Sequence, residues 1–514
     1  MNNLLDGIEE ILLMGPGPSC VPPEVYTALS RKTLGHLDPY FLKIMDGIKE
    51  MLLQTMNTRN MLTVPISGTG SAGMEASFVN LVESGDKVLV LVNGVFGQRM
   101  TDVAGRLGAE VSTLEFAWGT PVIPETVEKK IRQDHYNIVA VIHAETSTGV
   151  MNPVAEIGAM LKGLDTLYLV DTVTSLGGIE VRMDDWNIDA LYSGTQKCLS
   201  CPPGLAPLSF SEKAVARLNA RKTKVPNWYL DLSLIANYWN SKRVYHHTAP
   251  VNMLYGLYQA LLLILEEGLE NVFRRHLKNH MALVSGLQEI GLQMLVKQPF
   301  RLPMLNTVLC PESVDELSIR RRLRNEFKIE IGGGLGPLAG KIWRIGLMGY
   351  SSREENVSRL LNARKTKVPN WYLDLSLIAN YWNSKRVYHH TAPVNMLYGL
   401  YQALLLILEE GLENVFRRHL KNHIALVSGL QEIGLQMLVK EPFRLPMLNT
   451  VLCPDGADEL SIRRRLRNEF KIEIGGGLGP LAGKIWRIGL MGYSSREESV
   501  SRLLNALKKI LQTG

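Results

Sequence analysis

The sequence predicts an α/β protein: a mostly parallel sheet between helices, then a smaller α/β domain present in tandem duplicate. Three observations carry this. Over the first 220 residues short apolar runs alternate with helix-like stretches, the pattern of repeated strand–helix units. Residues 221–363 recur at 364–506 with six differences. Asp171 and Lys197 each follow a short apolar run, which puts a carboxylate and an amine at the carboxyl ends of neighbouring strands.

Taken in order, the strands are expected at Met61–Ile66, Lys87–Val92, Ile138–His143, Leu167–Val170 and Ala190–Tyr192, each an apolar run bounded by turn residues. Helices are expected near Pro23–Leu29, Tyr40–Gln54, Ala72–Val82, Gly97–Arg106, Pro124–Gln133 and Val154–Lys162. The repeated segment reads differently. It opens on one long helix from about Met253 to His276, continues as helix over Asn279–Ile290, and then breaks into short strands and turns. Its final helix begins near Ser351, and near Ser494 in the second copy.

The composition is that of ordinary soluble globular material, with 46% hydrophobic and 21% charged residues in 514, enough for two or three domains. No apolar stretch approaches the roughly 18 residues of a membrane span, so no membrane partner is expected. The opening M-N-N-L-L-D-G-I-E-E lacks a secretory pattern and L-Q-T-G is not a peroxisomal tripeptide, so a cytoplasmic location is expected. Five cysteines make a disulfide framework improbable, and the pair Cys198 and Cys201 reads as small packing residues, with no metal site expected. The net charge of +6 comes from the repeat. Residues 221–363 carry +7, residues 364–506 carry +6, and the remainder carries −7. The chain is neutral without its second copy, so the basic balance reads as a by-product of the repeat and no nucleic-acid partner is expected.

The chemistry concentrates between Asp165 and Gly204. A lysine and an aspartate placed as Lys197 and Asp171 are what pyridoxal 5'-phosphate requires: the lysine forms the Schiff base, and the carboxylate keeps the pyridine nitrogen protonated so that the ring accepts carbanion charge. Ser67-Gly68-Thr69-Gly70-Ser71-Ala72-Gly73 joins a strand to a helix and suits a phosphate held at a helix N-terminus. It also fits G-x-G-x-x-G, but Asp86 precedes the next strand rather than ending it, so a nicotinamide site fits less well. Phe96 is placed to lie flat on a cofactor ring or to pack in the core. Thr146 is placed to donate to the ring oxygen or to cap the following segment. Tyr245 and Thr248, in Y-H-H-T, offer two hydroxyls. Arg344, in an apolar strand-like run, suits a substrate carboxylate or a structural ion pair.

The strings G-P-G-P-S, S-G-T-G-S-A-G-M-E-A, N-G-V-F-G-Q-R, V-D-T-V-T-S-L-G-G, Y-S-G-T-Q-K, Y-H-H-T-A-P-V and G-G-L-G-P-L-A-G-K-I-W-R-I-G together resemble the alanine–glyoxylate (serine–pyruvate) aminotransferases, class V enzymes of the type I pyridoxal-phosphate fold. The resemblance runs from about Leu12 to Ala363. It implies a transaminase acting on small amino and 2-oxo acids, with Lys197 carrying the cofactor and Asp171 at its ring nitrogen. Thr69, Gly70, Ser71 and Gln196 would hold the phosphate, and Arg344 the substrate carboxylate. Tyr245 and Thr248 would reach the phosphate of a neighbouring subunit in a homodimer with shared active sites. Two positions depart from the family, which often has tryptophan where Phe96 stands and histidine where Ser71 stands. Other class V chemistries, phosphonate-linked amine transfer or cysteine desulfuration, are the nearest alternatives. A protein that binds cofactor but is blocked by the repeat is a third.

The implied organisation is an N-terminal segment (1–23) packing with the small domain, a large cofactor-binding domain (24–255), a small C-terminal domain (256–363) and the near-duplicate with its tail (364–514). Asp171 and Lys197 occur once, so one chain has at most one complete site. Residues 221–363 are expected to complete it, leaving Tyr388, Thr391 and Arg487 of the second copy without a family counterpart. Apolar residues such as Trp371, Tyr372, Leu373 and Leu375 are expected on the surface. Ser351–Lys365 is expected to run as one helix.

Overall fold

The computed structural model describes residues 3–363 and 394–512, which divide into two compact units, Leu4–Met396 and a second beginning at Leu397.

The first unit opens with β1 (Leu12–Leu13), α1 (Pro23–Leu29), α2 (Pro39–Met56), β2 (Leu62–Ser67), α3 (Gly70–Leu81), β3 (Lys87–Val92), α4 (Val95–Arg106) and β4 (Glu110–Glu115). It continues through α5 (Pro124–Gln133), β5 (Ile138–Ile142), β6 (Ala144–Glu145), β7 (Val150–Met151), α6 (Val154–Leu161), β8 (Leu167–Asp171), β9 (Ala190–Tyr192), β10 (Leu205–Phe210), α7 (Glu212–Asn219) and α8 (Leu232–Trp239). Then follow α9 (Val251–Glu267), α10 (Leu269–Gln288), β11 (Leu305–Leu309), α11 (Glu316–Phe327), β12 (Ile329–Glu330), β13 (Gly332–Gly333), β14 (Ile342–Gly346) and α12 (Glu354–Asn362).

The main sheet has seven strands in the order β2-β10-β9-β8-β5-β3-β4. The pairs from β9 through β4 are parallel, and β10 runs antiparallel to both its neighbours. The continuous apolar runs of β3, β5 and β8 are buried along almost their whole length, as strands covered on both faces must be. A small sheet, β11-β14-β13, lies farther along the chain. β1 pairs in parallel with β12 and feeds Met14 into the core beside Leu283 and Trp343.

Two expectations need correction. The long helix over Met253–His276 is broken at Gly268, whose φ of +83° and ψ of 130° no helix contains. The first half, α9, packs on α1 and α2, and its apolar residues down to Ile264 belong to the core of the large sheet. α10 contributes instead to the core of the small sheet. The helix expected to run from Ser351 to Lys365 starts at Glu354 and ends at Asn362; Lys365 lies outside the described residues, as do Trp371, Tyr372, Leu373, Leu375, Tyr388 and Thr391.

The second unit follows α13 (Val394–Glu410) with α14 (Leu412–Glu432), β15 (Leu448–Leu452), α15 (Glu459–Phe470), β16 (Gly475–Gly476), β17 (Ile485–Gly489) and α16 (Glu497–Gln512). Its sheet, β15-β17-β16, pairs Thr450 with Arg487 as β11 and β14 pair Thr307 with Arg344. It has its own core, centred on Leu426, Leu430, Leu466 and Trp486. Among the described residues no helix is long and apolar enough to cross a membrane.

Candidate active site

Lys197 and Asp171 are brought together at the carboxyl edge of the main sheet. Asp171 ends β8 and stands in register with Tyr192 at the end of β9; the turn after β9 carries Gln196 and Lys197. That turn is fixed from several sides. Thr195 N donates to Leu205 O at 3.2 Å, its hydroxyl donates to Pro202 O at 2.7 Å, and Ser200 N donates to Lys197 O at 3.1 Å. The Gly15–Ser19 loop closes over it, with the Ser19 hydroxyl donating to Lys197 O at 2.8 Å and the Lys197 ammonium donating to Pro16 O. Gly17, at φ +105°, lets this happen, since a Cβ there would meet the Lys197 side chain at 2.7 Å.

One cavity is lined by Thr69, Gly70, Ser71, Phe96, Thr146, Asp171, Gln196 and Lys197, together with Arg99, Val173 and Thr174. Eight residues singled out in the sequence therefore meet in one place. Arg344, on β14, lines the adjoining cavity of about 470 Å³, which shares Phe96, Thr146 and Lys197 with the first. Its guanidinium donates to Gly333 O at 2.6 Å and to Thr146 O at 3.1 Å, so Thr146 meets it through its backbone carbonyl. Tyr245 and Thr248 are not at this cavity. They lie exposed on a loop, their hydroxyls 3.3 Å apart, beside His247, which bonds the Ser67 hydroxyl at 3.0 Å.

The electrostatics follow from burial. The Lys197 ammonium is brought down to about 8 by desolvation, helped by the nearby charge of Arg344. Burial pushes the Asp171 carboxyl up to about 6, although Val173 N–H donates to it at 2.8 Å. The Tyr192 phenol lies beside that carboxyl without meeting hydrogen-bond geometry, and Glu145 adds a second buried carboxyl nearby.

Three residues here were not singled out from the sequence. Arg99 stands one helical turn after Phe96 on α4, with its guanidinium 5.0 Å from that ring's centre and donating to the Ser71 hydroxyl at 3.3 Å; the i, i+3 spacing in N-G-V-F-G-Q-R was the available signal. Glu145 accepts from Phe96 N at 3.2 Å and from the Ser147 hydroxyl at 2.6 Å, fixing the start of α4 where no cap of its own exists. Tyr192 read only as a core strand residue.

These groups fit pyridoxal 5'-phosphate. The first N–H groups of α3, at Gly70 and Ser71, have no intrahelical partner and no side-chain cap, which suits a phosphate. Gln196 lines the same cavity, and its side-chain amide has N–H groups that can donate to a phosphate. Asp171 is a buried carboxyl suited to a protonated ring nitrogen, and Lys197 a buried amine of depressed pKa.

The family model for aminotransferase class-V matches residues 12–360. The chain belongs to the class V aminotransferases. Alanine–glyoxylate aminotransferase of Oryctolagus cuniculus is 42% identical over 356 residues, covering 68% of this chain and 91% of that protein. (S)-Ureidoglycine–glyoxylate transaminase of Bacillus subtilis is 41% identical over 363 residues, covering 67% and 87%. The crystal structure of an alanine–glyoxylate aminotransferase from Nostoc sp. matches with a TM-score of 0.69 and 48% identity, over 69% of this chain and 94% of that one. As a class V aminotransferase the protein is a pyridoxal-phosphate enzyme of the type I α/β fold.

Proposed function

We propose that this aminotransferase moves an amino group from alanine or serine to glyoxylate or pyruvate. The observation that carries the reading is the placement of Arg344 in the cavity adjoining Lys197, where a guanidinium can hold the α-carboxylate of a small amino acid. The cofactor supplies an electron sink for the α-carbon. The protein's own residues do the rest. Lys197, with a pKa near 8, is suited to take and return the α-proton near neutrality. Asp171 would hold the proton on the ring nitrogen, and Phe96 would cover a ring face. Arg99 and the α3 N-terminus would balance the phosphate charge.

Two relatives share glyoxylate in their names and differ in the donor, so the donor is the part to test. Cofactor-loaded protein should change its cofactor absorption with L-alanine or L-serine and recover with glyoxylate. No change with either donor, alongside a change with (S)-ureidoglycine, would overturn the donor assignment. Desulfuration is disfavoured by the cysteine next to the site: Cys198 is buried and pushed up to about 12, which keeps it from being a thiolate nucleophile.

The same proposal includes a homodimer in which Tyr245 and Thr248 serve the partner's phosphate site. Their exposure, and their absence from the lining of their own chain's cavity, support it. In mixtures of Tyr245→Phe with Lys197→Ala protein, a shared site regenerates wild-type-like cofactor affinity in neither homodimer, but a hybrid dimer pairs an intact Lys197 with an intact Tyr245 and recovers it. An unchanged mixture would refute sharing.

A further inference from the structure

Two histidines stand between Tyr245 and Thr248 in the chain, and neither lines the cavities at Lys197. His246 is buried and His247 half-buried, while Tyr245 and Thr248 on either side of them are exposed. The loop turns its imidazoles inward and its two hydroxyl groups outward.

The imidazoles belong to one hydrogen-bond chain. His246 Nε2 lies 3.0 Å from Trp228 O, the two Nδ1 atoms are 2.8 Å apart, and His247 Nε2 lies 3.0 Å from the Ser67 hydroxyl. A carbonyl oxygen only accepts, so His246 carries a proton on Nε2. In the neutral His246 ring Nδ1 is then an acceptor. That puts the His247 proton on Nδ1 and makes His247 Nε2 accept from Ser67. Desolvation, with His246 beside it, brings His247 down to about 4, so this ring stays neutral as the chain requires. Aromatic rings pack on the pair, Trp228 at 4.4 Å from His246 and Tyr229 at 4.8 Å from His247, centre to centre. Tyr229 adds a second link, its phenol donating to Ser67 O at 3.3 Å.

Ser67 is a fixed point. It is the last residue of β2, paired with Leu205 of β10, and the glycine-rich turn into α3 begins at the next position. The hydrogen-bond chain therefore ties an exposed loop to the main sheet where the phosphate turn leaves it.

We infer that Ser67, His247 and His246 are positioning residues for cofactor binding in the partner subunit. The chain from Ser67 to Trp228 O fixes the loop from which Tyr245 and Thr248 reach the partner's phosphate, an inference that rests on the shared site proposed above. A residue at the edge of one subunit's phosphate turn then serves the phosphate of the other.

The test is the affinity of cofactor-free protein for pyridoxal 5'-phosphate, read as the absorption of lysine-bound cofactor. Ser67→Ala should weaken binding about tenfold, the effect of one hydrogen bond, and so should His247→Phe. Ser67→Thr keeps the hydroxyl and should bind as the wild type does. Mixing then locates the effect. Ser67→Ala protein in an excess of Lys197→Ala protein pairs each remaining Lys197 with a partner whose hydrogen-bond chain is intact, so wild-type affinity should return. Undiminished affinity in Ser67→Ala or His247→Phe, or a Ser67→Thr protein as weak as Ser67→Ala, would overturn the positioning role. Failure of the Tyr245→Phe and Lys197→Ala mixture to recover would remove the shared site and this inference with it. Recovery there, with none for Ser67→Ala, would overturn this inference alone and place the effect of Ser67 in its own chain's phosphate turn.

Discussion

The helix V-N-M-L-Y-G-L-Y-Q-A-L-L-L-I-L-E-E occurs twice, as α9 and α13. In α9 Met253, Leu257, Leu261 and Ile264 are buried against α1, α2 and the main sheet. In α13 Met396, Leu400 and Leu404 are exposed, as are Leu406 and Leu408. The pentapeptide I-W-R-I-G shows the same split. Arg344 is buried and bonds Gly333 O and Thr146 O, while Arg487 is half-buried and bonds Gly476 O, the carbonyl within its own sheet. Local sequence sets the helix and the strand register in both places. Burial, and with it the meaning of a side chain, differs between the two units although the local sequence is the same. Arg344 lines a cavity that Lys197 also lines.

The largest effect should come from the residue that has no second copy. Lys197→Ala should slow the half-reaction with L-alanine by about 10⁴-fold, at the upper end of what a positioned acid–base group contributes, read as single-turnover change in cofactor absorption. Retained activity would mean that the second unit supplies chemistry of its own.

Asp171→Asn should lower activity by about 10³-fold while stabilising the cofactor-free protein. The folded carboxyl has its pKa raised to about 6 from 3.8. Its contribution is therefore fully favourable below about pH 3.8 and is lost as pH rises through 6. The neutral amide escapes that loss, so urea unfolding of cofactor-free protein should show a gain of about 2 kcal/mol at pH 8 that vanishes near pH 4. A gain equal at both pH values would contradict the desolvation account.

Arg344→Ala against Arg487→Ala is the direct test of the comparison. With Arg344 in its proposed role at the substrate carboxylate, its removal costs about 2–4 kcal/mol, so kcat/KM should fall about 100-fold for the first variant and less than twofold for the second. The reverse result would make the second copy the one that completes the site.

The strands and helices around the site were legible because β3, β5 and β8 are unbroken apolar runs between turns. β10 was not, because Pro207 sits in its middle; it stands opposite Pro65 of β2, so neither strand needs an N–H at that point of the pairing. β4, with its polar and partly exposed residues at the sheet's edge, has no apolar run to read. At the site, residue types with a special chemistry (Lys197, Asp171, the glycine-rich turn) could be found by spacing alone. Glu145 could not, since a carboxylate that is to be buried under a helix start looks like any surface glutamate until the fold brings α4 over it. Gly268 was passed over because a single glycine is tolerated within a helical pattern, and only its backbone angles break the helix.

The smallest effect separates the two units through that glycine. Gly268 and Gly411 both stand at φ +83°, between two helices. A Cβ would find space at either: its nearest neighbour is Asn271 Nδ2 at 3.5 Å for Gly268 and Asn414 Nδ2 at 3.7 Å for Gly411. The cost of alanine is thus backbone strain alone, about 1–2 kcal/mol in each case. The consequence differs because α9 belongs to the core that carries the cofactor site, whereas α13 carries its apolar side exposed. Thermal unfolding followed by cofactor release should shift down by a few degrees for Gly268→Ala and stay in place for Gly411→Ala, whose loss should appear only in a probe of the whole chain such as circular dichroism. Equal shifts in cofactor release for the two variants would mean that the units unfold as one cooperative body.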